Sequence, residues 1–264
     1  MSDRKKARES RELSVALQAA RAAADLSRRY YSGNFTVRTK ADRTPVTQAD
    51  VECEELIREI ILGAFPADGF YGEETGKTQA SSTRLWLVDP IDGTKGFVRQ
   101  YPFFSTQIAL MQDGELVLGV SSGTMFDELA WAERGHGAWL NGKQLAVSDT
   151  AEPDRASVSG GNLASLAKSA GWAEYGKIVA AADRIRGYGD FYHYHLLAAG
   201  KIDAVIESDV NILDIAALSV IVTEAGGTFT DLNGRAPALE TRSVLAANPA
   251  LHAAFLPRLT GFVA

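Results

Sequence analysis

Several features that narrow down the function of a protein are scarce or missing in this chain of 264 residues. It has one cysteine, Cys53, so an internal disulfide framework is excluded and a reducing compartment is expected. No apolar run approaches the roughly 18 residues of a membrane span, and the Arg/Lys-rich N-terminus lacks the apolar stretch of a signal peptide. No repeat or low-complexity segment is visible. We therefore expect a cytoplasmic protein with no membrane partner.

The charge balance and the few histidines also argue against two kinds of site, a nucleic-acid interface and a metal site built from histidines. The formal net charge is -6, and no stripe of basic and aromatic residues is present, which argues against a nucleic-acid partner. Only four histidines occur. His193 and His195 are two positions apart, so on a helix they point in different directions. This spacing favours packing roles over a shared metal ion.

What the chain does contain is an ordinary globular composition, with 46% apolar and 23% charged residues. Its length fits one large or two small domains. Apolar stripes predict helices over residues 12–31 and from Ala49 onward. Strands and tight turns follow as far as residue 140, and from about residue 150 strands and helices alternate. We predict a mixed α+β half over residues 1–150 and an α/β half over residues 151–264.

The most informative stretch begins with Leu85–Val88, an apolar run that predicts a buried strand. The run ends in Asp89 and Asp92, and Pro90 between them makes the chain leave the strand on a stiff turn. Carboxylate oxygens are ligands for hard divalent cations such as Mg²⁺. The following Gly93-Thr94 can offer backbone N–H groups to a phosphate. An ordinary Asp-rich turn is the alternative interpretation.

Three further segments accompany this stretch: Phe70-Tyr71-Gly72-Glu73-Glu74, Leu213-Asp214-Ile215-Ala216-Ala217 and Glu224-Ala225-Gly226-Gly227. Together with the central stretch they resemble the inositol monophosphatase superfamily of metal-dependent, lithium-sensitive phosphatases. The resemblance covers roughly residues 10–260. It implies a layered αβαβα sandwich, of mixed α+β and α/β character, and a homodimer. The family usually has tryptophan where this chain has Leu213, a difference in packing and not in ligand chemistry.

The resemblance also implies a metal centre that holds two or three Mg²⁺ ions. Its ligands would be the side chains of four acidic residues and one backbone carbonyl: Glu73, Asp89, the Ile91 carbonyl, Asp92 and Asp214. Four carboxylates in one pocket repel each other strongly unless cations lie among them. Their presence together is therefore itself an argument for metal.

Catalytic and phosphate-binding roles follow from the same resemblance. Glu73 and Thr94 would position the attacking water, and Thr94 would be polarised by a hydrogen bond to Asp50. The backbone N–H groups of Gly93 and Thr94 would hold the phosphate. Helix capping is the alternative explanation for Asp50 and for Asp214, because each lies at the start of a predicted helix.

Residues 186–191 and 196–203 resemble the histidinol-phosphate phosphatase branch of the superfamily. Histidinol phosphate carries an ammonium and an imidazole, with which the carboxylates of Asp190 and Glu207 could pair. Lys40 and Arg186 are further candidate substrate-binding residues. A helix N-cap is the alternative role for Asp190, and a surface charge at a strand end is the alternative for Glu207.

The expected function is hydrolysis of a small phosphate ester by a metal-activated water, with histidinol phosphate as the expected substrate. Inositol monophosphatase is the nearest alternative, followed by bisphosphate nucleotidase and fructose bisphosphatase. An alternative of another class is a catalytically silent regulator that binds phosphate or lithium on the same fold. Loss of a metal ligand would indicate such a regulator, yet all of the expected ligand residues are present.

Overall fold

The computed structural model describes residues 9–33, 35–39, 45–78 and 81–259. The helices in these ranges are α1 (Arg11–Tyr31), α2 (Gln48–Ala64), α3 (Thr94–Val98), α4 (Leu163–Lys168), α5 (Trp172–Ala181), α6 (Asp190–Ala198), α7 (Ile212–Glu224) and α8 (Pro249–Leu259). The first strands are β1 (Val37–Thr39), β2 (Pro45–Thr47), β3 (Gly69–Gly72), β4 (Gly76–Lys77), β5 (Arg84–Asp92), β6 (Ser105–Gln112), β7 (Glu115–Gly123) and β8 (Glu128–Glu133). The remaining strands are β9 (Ala138–Leu140), β10 (Lys143–Gln144), β11 (Ser157–Gly161), β12 (Arg184–Arg186), β13 (Ala204–Ser208), β14 (Thr228–Thr230) and β15 (Ser243–Ala247).

Two large sheets form the framework. The first has eight strands in the order β10-β9-β8-β7-β6-β5-β3-β4 and is antiparallel except where β3 pairs with β5. The second has five strands in the order β12-β11-β13-β15-β14. In the second sheet β11 runs parallel to both of its neighbours, whereas β15 is antiparallel to β13 and β14. A separate antiparallel pair, β1-β2, precedes α2.

Three layers of helices cover the two sheets. Helices α1 and α2 pack on one face of the first sheet, α6 and α7 lie between the two sheets, and α4, α5 and α8 cover the outer face of the second. This arrangement confirms the predicted layered αβαβα sandwich. Because α7 belongs to the C-terminal half but packs on the N-terminal sheet, the division into two domains near residue 150 stays a prediction.

Local sequence signals explain where the main helices begin and end. The Ser10 side chain accepts a hydrogen bond from the backbone N–H of Leu13 and caps α1. Helix α2 begins with a capping box formed by Thr47 and Asp50. Helix α7 ends at Glu224 with Ala225 as its C-cap, and the next residue, Gly226, has a φ of 90° that glycine readily adopts.

The short elements are the ones that the sequence pattern missed. Strands β1, β2 and β12 are three residues each, which is too short for a periodic pattern to show them. None of the helices in the described part of the chain combines the length and the apolar character that a bilayer crossing requires.

Candidate active site

Three aspartates, which are buried or partly buried, form the centre of the site. Each of Asp89, Asp92 and Asp214 offers a carboxylate oxygen, and the three oxygens lie within 4.8 Å of one another. Asp89 comes from the end of β5, Asp92 is the last residue of that strand, and Asp214 lies in the first turn of α7. Oxygen ligands at this spacing suit a hard divalent cation.

A bulge in β5 explains how the strand delivers both of its aspartates to one place. Side chains three positions apart on a regular strand point to opposite faces of the sheet. The register between β5 and β6 shifts between Asp89 and Asp92, where Pro90 has no N–H to donate to the ladder. Thr106 Oγ1 donates to the Pro90 carbonyl (2.9 Å), and Ile91 N–H donates to Asp89 Oδ1 (3.0 Å). The predicted stiff turn is therefore a bulge that is held by specific hydrogen bonds.

The capping box of α7 places Asp214. Asn211 is the N-cap and accepts from the Leu213 N–H (3.1 Å), while Asp214 Oδ2 accepts from the Asn211 N–H (2.9 Å). Capping and membership of the acidic cluster, which the sequence posed as alternatives, therefore occur together. The preceding Leu213 is buried in the apolar core.

Electrostatics show that the cluster is unfavourable for carboxylates alone. Burial, followed by the charge of Glu73 and the other carboxylates, raises the pKa of Asp89 well above its ordinary value. Burial and the charges of Asp190 and Asp214 do the same for the pKa of Asp92. Burial is also the main cause that raises the pKa of Asp214 to about 7. A bound cation would offset this repulsion, so these residues fit a metal ion.

Glu73 follows β3 and is not one of the three residues whose oxygens lie within 4.8 Å of one another. Its charge contributes to the raised pKa of Asp50, Asp89 and Asp214, so it borders the cluster. A residue that sequence reasoning missed holds this turn. Glu54 of α2 is fully buried, and its two carboxylate oxygens accept from the backbone N–H groups of Glu74 and Thr75 (2.8 Å each). Its position one turn after Asp50, on the buried face of α2, was the available signal.

The predicted contact between Asp50 and Thr94 is present. Thr94 Oγ1 donates to Asp50 Oδ1 (3.0 Å) and also lies 3.1 Å from the Ile91 carbonyl oxygen. Gly93 precedes α3 with a φ of 86°, and a Cβ there would lie 2.6 Å from the Phe103 carbonyl oxygen. Only glycine fits this turn, which brings the Gly93 and Thr94 backbone to the end of β5.

Asp190 and Glu207 border the same pocket as Asp92 and Asp214. Asp190 is the first residue of α6, and the N-cap is Gly189, so the alternative N-cap role for Asp190 is wrong. Burial, followed by the charge of Glu207, raises the pKa of Asp190 to about 6. Glu207 is 6% exposed on the central strand β13, so it is not the surface charge that was the alternative.

Two side chains of α6 hold Glu207. Tyr194 Oη donates to Glu207 Oε2 (2.7 Å), and His193 Nε2 lies 3.2 Å from the same oxygen without hydrogen-bond geometry. On the other side, Gly161 of β11 leaves room for Oε1, since a Cβ at that position would lie 2.1 Å from it. The predicted packing role of His193 was therefore incomplete, because its ring contacts a residue of the pocket.

Of the two remaining sequence candidates, the structure describes only Arg186, which does not line this pocket. Arg186 is exposed at the end of the edge strand β12, and its guanidinium donates to the Ile185 carbonyl (2.6 Å). Lys40 lies outside the described residues. The role of each in substrate binding stays a prediction.

Comparison with known proteins now decides the family. The sequence model of the inositol monophosphatase family matches residues 9–261 of this chain. The chain belongs to the inositol monophosphatase family. This membership confirms the family predicted from the sequence and, with it, the class of enzyme, a phosphoric monoester hydrolase.

Individual members of the family show where this chain's similarities lie. The histidinol-phosphatase of Mycobacterium tuberculosis is 39% identical over 260 residues, which cover 94% of this chain and 97% of that protein. The inositol-1-monophosphatase of Caulobacter vibrioides is 34% identical and covers 81% of this chain and 86% of its own length. The crystal structure of the extragenic suppressor protein suhB from Bartonella henselae superposes with a TM-score of 0.87 at 30% identity, over 96% of this chain and 100% of that one.

Proposed function

We propose that this family member is a Mg²⁺-dependent phosphomonoesterase that converts histidinol phosphate into histidinol. The observation that carries the choice of substrate is the pair of partly or fully buried carboxylates, Asp190 and Glu207, in the pocket that also contains Asp92 and Asp214. The similarity to named histidinol-phosphatases supports the same choice.

A positively charged group of the substrate suits the part of the pocket that contains Asp190 and Glu207. Burial and the charge of Glu207 raise the pKa of Asp190, which means that the ionised pair is destabilised as it stands. A ligand ammonium between the two carboxylates relieves that repulsion through charge-assisted hydrogen bonds. Inositol phosphate offers hydroxyl groups only, so it leaves the repulsion in place.

Residues of the chain keep Glu207 available for such a contact. Its Oε2 is engaged by Tyr194 (2.7 Å), while its Oε1 points towards Gly161. Ser159 Oγ accepts from the Tyr188 N–H (3.2 Å) and is hydrogen-bonded to His193 Nδ1 (3.2 Å). The His193 ring therefore has Nε2 on the side of Glu207, 3.2 Å from Oε2.

The proposed hydrolysis takes place at the cluster of Asp89, Asp92 and Asp214. Glu73, Asp89, the Ile91 carbonyl, Asp92 and Asp214 would hold Mg²⁺, which would neutralise charge on the phosphoryl oxygens and lower the pKa of the attacking water. Thr94 donates its hydroxyl proton to Asp50, so the lone pairs of its oxygen can accept a proton of that water. Glu73 would orient the same water, and the backbone N–H groups of Gly93 and Thr94 would bind the phosphate.

The proposal carries further expectations that rest on the family resemblance. Two or three Mg²⁺ ions would bind, lithium would inhibit, and the enzyme would act as a homodimer in the cytoplasm. Neither nucleic acid nor a membrane is expected as a partner.

The decisive experiment is a measurement of phosphate release after treatment with chelator, with and without added Mg²⁺. The substrates compared are histidinol phosphate, inositol 1-phosphate, fructose 1,6-bisphosphate and a 3′-phosphonucleotide. We expect turnover to require Mg²⁺ and the specificity constant to be highest for histidinol phosphate.

The other outcomes are equally informative. A preference for inositol 1-phosphate would retain the metal chemistry and contradict the assignment of Asp190 and Glu207. Binding of Mg²⁺ and phosphate without turnover of any ester would favour the silent regulator. Turnover that is unaffected by chelator would contradict the metal centre itself.

A further inference from the structure

A continuous series of buried polar side chains leads away from the acidic cluster through the middle of the first sheet. Its members, in order, are Asp92, Ser105, Gln107, Ser121, His195 and Glu128. Ser105 and Gln107 lie on β6, Ser121 lies on β7, and His195 lies on α6. Their side chains are joined by five consecutive hydrogen bonds.

The amide of Gln107 determines the direction in which the neighbouring hydroxyl groups of this series donate. Gln107 Nε2 faces two hydroxyl oxygens, Ser105 Oγ (2.8 Å) and Ser121 Oγ (3.1 Å), and an amide nitrogen can only donate. Each hydroxyl therefore accepts from Gln107 and has its own proton free to point outward. The Ser105 proton goes to Asp92 Oδ2 (3.0 Å). If the amide were reversed, both hydroxyls would have to donate inward, and Asp92 would lose its donor.

The far end of the series anchors the amide of Gln107. Ser121 Oγ is hydrogen-bonded to His195 Nε2 (2.9 Å). The other ring nitrogen, Nδ1, faces a carboxylate oxygen that can only accept, so Nδ1 carries a proton. That proton is donated to Glu128 Oε2 (2.8 Å). The predicted packing role of His195 is thus a polar one, and it ties α6 to the sheet that carries Asp92.

This arrangement has an energetic cost that packing alone does not explain. Ser105, Gln107 and Ser121 are all at most 1% exposed, and apolar residues could fill the same space. Within the described part of the chain, Gln107 Oε1 is buried without a hydrogen-bond partner. A buried and unpaired polar atom is unfavourable. The cost is understandable if the orientation of the amide matters to the site.

We propose that Ser105 and Gln107 are positioning residues for Asp92 in the metal centre. Ser105 engages one carboxylate oxygen of Asp92 and thereby directs the other oxygen to the cation, while Gln107 fixes the direction in which Ser105 donates. This inference rests on the proposed function, which makes Asp92 a metal ligand. Hydrogen bonds to ligating carboxylates commonly affect metal affinity by about 10-fold or more.

The test compares Ser105→Ala and Gln107→Met with the wild-type protein. Chelator-treated protein is titrated with MgCl₂ in a calorimeter, and the unfolding temperature of the same metal-free samples is recorded. Ser219→Ala is the matched control, because Ser219 is a buried serine that donates only within α7, to the Ala216 carbonyl (2.8 Å). We expect both test variants to bind Mg²⁺ about 10-fold more weakly. The control should keep the wild-type affinity.

The two readouts separate positioning from general stability. If the two test variants bind Mg²⁺ within twofold of the wild type, the inference is wrong, whatever their unfolding temperatures. If Ser105→Ala does not fold, the Gln107→Met titration decides alone, because that variant leaves Ser105 in place. If the wild-type protein binds no Mg²⁺, the proposed function fails, which is a different result from equal affinities.

Discussion

The two carboxylate oxygens of Asp50 serve two different partners, and the more distant of these is Thr94. Oδ1 accepts from the Thr94 hydroxyl at 3.0 Å, across 44 positions of sequence. Oδ2 accepts from the Thr47 N–H at 2.7 Å and so caps α2. The capping contact and the contact with Thr94, which sequence reasoning treated as alternatives, are therefore both made by one fully buried side chain.

Replacement of Thr94 by alanine should lower kcat about 10²- to 10⁴-fold, because the water would lose a partner that accepts its proton. KM should change little. Thr94→Ser keeps the hydroxyl and should retain most of the activity. Steady-state kinetics on histidinol phosphate measure both effects, and a wild-type kcat in the alanine variant would contradict the role of Thr94.

The double variant Asp50→Ala, Thr94→Ala tests whether the two residues act through their shared hydrogen bond. If they do, the double variant should lose no more kcat than the more damaging single variant. Loss of the α2 cap should also lower the free energy of unfolding by about 1 kcal/mol whenever Asp50 is replaced. Multiplied kcat effects would mean that Asp50 contributes to catalysis independently of Thr94.

Much of this site could be predicted from the sequence, because its residues lie in short contiguous patterns. Asp89, Asp92 and Thr94 share one strand end, and Asp214 begins a clearly apolar helix. Glu54 and Gln107 could not be identified in this way. Each lies in an element whose apolar pattern was already assigned to the core, and only the tertiary contacts with Glu74 and Ser105 reveal what they do.

The same limit applies to the strands. The apolar run Leu85–Val88 correctly predicted β5, although the strand continues to Asp92, whereas β1, β2 and β12 are too short to show a period. The bulge at Pro90 was foreseen only as a turn. Its consequence, two aspartates on one side of the sheet, depends on the pairing of β5 with β6.

Replacement of Asp92 by asparagine should have opposite effects on activity and on the stability of the metal-free protein. Turnover should fall by more than about 100-fold, since a metal ligand is changed. The unfolding temperature of chelator-treated protein should stay the same or rise, because burial and neighbouring carboxylates destabilise the charge of Asp92. Enzyme assays and thermal unfolding measure the two effects.

The control for this variant is Asp113→Asn. Asp113 is exposed in the tight turn between β6 and β7, with a φ of 53° that asparagine also tolerates. Both activity and stability should be unchanged. A marked drop in the unfolding temperature of metal-free Asp92→Asn would show that Asp92 stabilises the fold without metal.

Replacement of Gly161 by alanine should change substrate preference without changing any charge. The new Cβ would lie 2.1 Å from Glu207 Oε1, so the carboxylate must move. Loss of a charge-assisted hydrogen bond to the substrate ammonium corresponds to roughly 1.5–3 kcal/mol, or about 10- to 100-fold in kcat/KM. The loss should be larger for histidinol phosphate than for inositol 1-phosphate.

Gly63→Ala provides the matched control for this substitution. Gly63 lies in α2, and a Cβ there would meet nothing within 4 Å, so the protein should become slightly more stable and keep its specificity. Asp190→Asn should shift preference in the same direction as Gly161→Ala. Equal losses on both substrates would indicate that Asp190 and Glu207 have a structural role.

The stability of the metal-free protein should fall as the pH rises from 5 to 8. Burial raises the pKa of Asp190 to about 6 and that of Asp214 to about 7, from ordinary values near 3.8. The folded state therefore binds these protons more tightly than the unfolded state does. The resulting stability is fully present below about pH 4 and is lost as the pH rises through 6 and 7.

Saturating Mg²⁺ should weaken or reverse this dependence, because metal binding requires deprotonated carboxylates and stabilises only the folded state. Urea unfolding at pH 5, 6, 7 and 8, with chelator and with Mg²⁺, measures both curves. Asp190→Asn cannot titrate at this position and should lose the part of the decline that ends near pH 6. Metal-free stability that increases over this range, with no difference between the variant and the wild type, would contradict the buried repulsion from which the metal centre is inferred.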